Sequence, residues 1–100
     1  MFMTLNEFKL SKEYEEIFTE CVFKDKVSIA YIQRQYKLSF QKARMLYQEI
    51  TNAKDETYLY DVLYMLKEMD DVPTVSRIMN ECDTSYPLAE IIFQFYMEDY

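Results

Sequence analysis

The chain has 100 residues and a formal net charge of −7, from 11 basic and 18 acidic side chains, and half of it is apolar, with Tyr and Phe dominating. That length makes one compact unit or two very small ones sharing a core, and the apolar content excludes a disordered chain. With no His and no Gly, the chain lacks a proton carrier for neutral pH and a Gly-rich phosphate loop, so no enzyme activity is expected. Cys21 and Cys82 stand far apart with no His beside them, which gives no metal-ligand spacing and no reason to pair them; no metal or cofactor is expected. The opening stretch, Met1 to Glu16, turns acidic before an apolar run develops. It reads as neither a signal peptide nor a membrane span, and the expected location is a reducing cytoplasm.

Good helix formers fill the positions between apolar residues, and only two Pro interrupt them. Helical spacing predicts six helices, near Lys12 to Phe23, Ser28 to Lys37, Phe40 to Asn52, Thr57 to Met69, Thr74 to Cys82 and Tyr86 to Glu98. Pro73 suits the start of the fifth, at or just before its first turn, and Pro87 the first turn of the sixth. Asp70 and Asp71 fall in the turn before the fifth helix, where they oppose the positive end of its dipole.

A shift of 46 positions lays Tyr14 on Tyr60, Ile17 on Leu63, Ile29 on Val75, Ile32 on Ile78, Phe40 on Tyr86, Ala43 on Ala89 and Leu46 on Ile92. The expected fold is therefore all-α: two tandem three-helix, helix-turn-helix-like units, residues 1–54 and 55–100, forming one body. At most a minimal wing fits after the third helix, in TNAKDETYLY, where Asn52 is the residue suited to a left-handed position.

The stretch from Val27 to Ile50 carries the most information. Ser28 is placed to cap a helix whose inner side is Ile29, Ile32 and Tyr36. Lys37, Leu38 and Ser39 form a turn, with Leu38 inward. Phe40, Ala43, Tyr47 and Ile50 line the inner side of the next helix, and Ala43 is small where the two helices should cross. Facing away are Gln41, Lys42, Arg44, Gln48 and, at the side, Met45, a set able to reach phosphates and base edges in a major groove.

The run Gln33, Arg34, Gln35, Tyr36, Lys37, Leu38, Ser39, Phe40, Gln41, Lys42, Ala43, Arg44, Met45, Leu46 resembles the helix pair of the gamma domain of FtsK-type DNA translocases. That winged helix carries Gln-Arg-Arg-Phe, a basic residue, an aliphatic, Gly, Tyr and Asn-Arg-Ala-Ala-Arg-Leu. The resemblance covers about a quarter of the chain and implies DNA contact by Gln41, Lys42 and Arg44. Ser39 stands where the family usually has Gly, which predicts a more strained turn. Met45 replaces a second basic residue, which predicts fewer groove contacts.

Charge separates the two units. Lys24, Lys26, Arg34, Lys37, Lys42, Arg44 and Lys54 face only Asp25 and Glu49 in the middle segment, a balance of +5, whereas from Asp55 onward Lys67 and Arg77 oppose eleven carboxylates, giving −9. An acidic chain binds DNA only through one well-placed positive face. The expected phosphate contacts are Arg34 and Lys37, with Ser39 in the turn and Gln41, Lys42, Arg44 and Gln48 along the reading helix. In the second unit the matching face is Pro87, Leu88, Glu90 and Ile91, and Leu88, Ile91 and Phe95 make a second apolar stripe beside Tyr86, Ala89, Ile92 and Tyr96. Such a helix is central to a core or exposed to a partner, and it is read as a surface for self-association or protein binding. Most of the ten Tyr fall on apolar stripes and read as core with the hydroxyl at the rim.

Two functions follow. The first is a small DNA-binding helix-turn-helix protein, regulatory or accessory, of the kind carried by a phage or mobile element, with double-stranded DNA as partner. The alternative is an acidic interaction or inhibitor protein of phage or plasmid type, docking on a host protein or imitating DNA with its carboxylates.

Overall fold

The computed structural model describes residues 4–69 and 73–98. Among them the chain is all-helical with no strand: α1 Leu5–Lys9, α2 Lys12–Val22, α3 Ile29–Tyr36, α4 Phe40–Lys54, α5 Glu56–Lys67, α6 Val75–Cys82 and α7 Tyr86–Glu98. It divides into two compact units, Met1–Thr51 and Asn52–Tyr100. Asp70 and Asp71 lie outside the described residues.

Short polar side chains start these helices, as they must where amides in the first turn lack backbone partners. The hydroxyls of Thr4, Ser11 and Ser28 accept from the amides of Glu7, Tyr14 and Tyr31 at 3.1, 3.1 and 3.0 Å. Ser39 accepts from the Lys42 amide at 3.3 Å and Thr74 from the Arg77 amide at 3.2 Å. Asp55 accepts from the amides of Thr57 and Tyr58.

α1 is one helix more than the six expected. At five residues it is too short to show a periodic stripe, but Thr4 and Glu7 carry a start signal, with the Thr4 hydroxyl also donating to the Glu7 carboxylate at 3.2 Å. Its Phe8 is fully buried. The wing considered after Ile50 has no place. Thr51 to Lys54 continue α4, and only Asp55 separates α4 from α5, so Asn52 is helical rather than left-handed.

The first unit is cored by aromatic rings. Tyr14, fully buried, meets Phe8 edge-on at 5.3 Å and lies parallel to Phe18 at 6.3 Å between ring centres. Its hydroxyl donates to the buried carboxylate of Glu49 on α4. Ile17, Cys21, Ile32, Ala43, Leu46 and Ile50 complete that core. In the second unit, α7 packs on both α5 and α6; among the described residues its buried apolar side chains are aliphatic apart from Tyr96, and Thr84 and Ser85 are buried with them.

α3 and α6 share their local geometry at an offset of 46 residues. Both have eight residues, start after Ser28 or Thr74, and end on a left-handed residue, Lys37 (φ 54°, ψ 47°) or Asp83 (φ 52°, ψ 48°). The amides of Leu38 and Thr84 then donate back to the carbonyls of Gln33 and Met79, each at 3.2 Å, closing the same C-terminal cap. The strained residue of the first turn is thus Lys37. Ser39, the last residue of the predicted turn, has negative φ and serves as a helix cap.

The helices that precede α3 and α6 follow a different offset. The buried residues of α2, Tyr14, Ile17, Phe18 and Cys21, correspond to Leu59, Val62, Leu63 and Leu66 of α5, 45 positions on. Tyr60, expected to match Tyr14, is 57% exposed. The connection from α5 to α6 is one residue longer than that from α2 to α3, which absorbs the slip.

Tyr36, at the end of α3, gives the first unit a base-sensitive point. Its hydroxyl receives a 3.7 Å contact from the Cys21 thiol, and its pKa is raised chiefly by burial, then by the hydrogen bonds with Cys21 and Glu20. The folded state therefore favours the neutral phenol. Its contribution is complete below about pH 10, the ordinary tyrosine value, and is lost as pH climbs above it. The expected result is a urea midpoint that falls above about pH 10, with Tyr36→Phe flattening that fall.

Candidate nucleic-acid interface

The turn from α3 to α4 places the predicted contact residues in a definite arrangement. The cap at Lys37 ends α3, and Ser39 starts α4 two residues later, so the second helix begins within one turn of the first. Arg34, Lys37, Ser39, Gln41, Arg44 and Gln48 are all exposed. On α4, Gln41, Arg44 and Gln48 are spaced three and four apart and share one outward side. Arg34 lies one turn before Lys37, and its Nε donates to the carbonyl of Ala30 at 3.4 Å.

Lys42 is placed differently. It is half-buried, with its ammonium over the Phe8 ring at 5.1 Å from the centre. A cation in that position is held by the ring quadrupole by about 0.5–1 kcal/mol. Lys42 therefore belongs as much to the α1 junction as to the outer face. Its neighbour Phe40, expected on the inner stripe, is 55% exposed at the first position of α4. The remaining inner residues stay inside: Ala43 and Ile50 are buried, and Tyr47 is half-buried.

The basic segment also uses charge structurally. Lys24, in the connection from α2 to α3, sits over the Tyr31 ring at 5.9 Å. Among the described residues no group of three or more His, Cys, Asp or Glu is arranged to hold a metal ion. No described helix is long and apolar enough to cross a membrane. Both cysteines are free thiols; burial and then the neighbouring Glu81 carboxylate push the Cys82 thiol above its ordinary pKa, which keeps it protonated and weakly nucleophilic at neutral pH.

In the second unit the three residues read as a partner stripe separate. Leu88 is fully buried and unavailable to any partner. Ile91 and Phe95 are half-buried. Because α7 is apolar around most of its circumference, periodicity alone does not mark Leu88 as inward. Phe95 instead leads to α5, where its ring meets Tyr60 edge-on at 5.3 Å. Comparison with known protein families, curated proteins and solved structures finds no match.

Proposed function

We propose that the first unit is a helix-turn-helix that contacts double-stranded DNA through α4, and that the second unit binds a protein partner or a second copy. The reading rests on one observation: a left-handed turn at Lys37 joins α3 to α4 with Arg34, Lys37, Gln41, Arg44 and Gln48 exposed around it. In this reading Arg34, Lys37 and Arg44 hold phosphates, while Gln41 and Gln48 meet base edges; an amide side chain can donate to and accept from adenine together. No catalytic group is required.

Phosphate contacts release counterions, so affinity should fall with salt. Three such contacts correspond to a slope of about −2.7 in log K against log salt. Fluorescence anisotropy of labelled duplex DNA across a salt series tests this. Binding with a slope near that value supports the reading, and no binding at low salt removes it.

The second reading, an acidic interaction protein, is favoured by the eleven carboxylates from Asp55 onward. Like-charge repulsion would keep this part of the chain off DNA. It becomes the leading reading if duplex DNA is not bound.

A further inference from the structure

We infer that the outer face of α5 and α7, centred on Tyr60, Tyr64 and Phe95, docks a basic amphipathic helix of a partner protein.

Tyr60 and Tyr64 lie four residues apart on α5, on one side of the helix, and are 57% and 69% exposed. Phe95 on α7 sets its ring edge-on to Tyr60 at 5.3 Å, so the aromatic surface crosses from one helix to the other. Ile91, one turn before Phe95, extends it and is half-buried. Tyrosines present large, stiff apolar area with a hydroxyl that tolerates water, which suits the centre of an interface.

The rim decides what fits. Glu56 and Asp61 on α5 and Glu68 at its C-terminal cap are exposed near the two tyrosines in helical register, and Glu98 follows Phe95 by one turn on α7. Lys67 is the basic residue on these two helices. An apolar centre with carboxylates around it is complementary to a helix carrying an aliphatic stripe flanked by Lys or Arg. Such a helix sets its stripe against the rings and its cations against the rim. Acidic partners are repelled. The assignment is independent of DNA binding by the first unit.

The test uses the full chain and two synthetic peptides, one with Leu at helical spacing and Lys elsewhere, the other with Glu in place of every Lys. The Lys peptide should bind and the Glu peptide should not. Tyr64→Ala should weaken binding about tenfold, and Tyr64→Lys further. Tyr64 is 69% exposed, and circular dichroism checks that the helices remain in both variants. Lys37→Glu combined with Arg44→Glu should leave peptide binding unchanged. Equal binding of both peptides overturns the inference, as does undiminished binding by both Tyr64 variants. A concentration-dependent dimer of the protein that Tyr64→Ala dissolves also overturns it, because the occupant would then be a second copy.

Discussion

Reversing Lys37 and Arg44 together to Glu should lower affinity for duplex DNA by about 100-fold, on the scale of two lost contacts near 1.4 kcal/mol each, and flatten the salt slope by about 2. Both side chains are exposed. The variant should therefore keep its helices, with only a small loss of stability from a carboxylate at the C-terminal end of α3, and the loss of binding is read as electrostatic rather than structural. Lys42→Glu should do less to the salt slope and more to stability, because its ammonium is engaged over Phe8. Gln41→Ala should leave the slope unchanged and alter which sequences are preferred, since an amide reads bases and carries no charge. DNA binding by the double reversal at wild-type affinity would mean that α4 is not the contact surface.

Tyr14→Ala should be the most destabilising single change in the first unit, at about 3–5 kcal/mol. The substitution empties the space between Phe8 and Phe18 and removes the phenol whose proton Glu49 accepts. A domain of this size has a total stability of only about 5–15 kcal/mol, so the thermal midpoint should drop by on the order of 15 °C or more. Tyr14→Phe separates the two effects. It keeps the ring packing, removes the hydrogen bond to a buried carboxylate, and should cost about 1–3 kcal/mol. Pairing it with Glu49→Leu should restore part of that loss, because the carboxylate left without its phenol donor is gone. A thermal melt in which Tyr14→Ala matches the wild type would show that this cluster does not govern the stability of the unit.

Legibility in the sequence followed how local the cause was. The positions of α3 and α6 follow from Ser28 and Thr74, which cap within three residues, and α7 from its long apolar run. The left-handed turns are partly visible: Lys37 to Ser39 reads as a turn, but no residue type there marks Lys37 as the position of positive φ. The offset of 46 does not carry from α2 to α5, because matching Tyr14 to Tyr60 relies on residue identity. Burial follows the helix face and is set by the length of the next connection. At the candidate site, the exposure of Arg34, Gln41 and Arg44 could be read from periodicity. The position of Lys42 could not, because it depends on Phe8, in a helix too short to announce itself. Leu88 was equally hidden, since a helix apolar on nearly every side gives no cue to which side faces inward.

The different filling of the two cores has an optical consequence. The chain has no Trp, so its near-ultraviolet circular dichroism comes mainly from tyrosine, and that signal persists only where rings are held in fixed packing. Tyr14, enclosed by two phenylalanines, is such a ring in the first unit. The second unit adds Tyr96, which is buried, and Tyr60, set edge-on to Phe95 at 5.3 Å. The part of the near-ultraviolet signal that is lost in Tyr14→Phe therefore reports the packing of the first unit in the intact chain without a label.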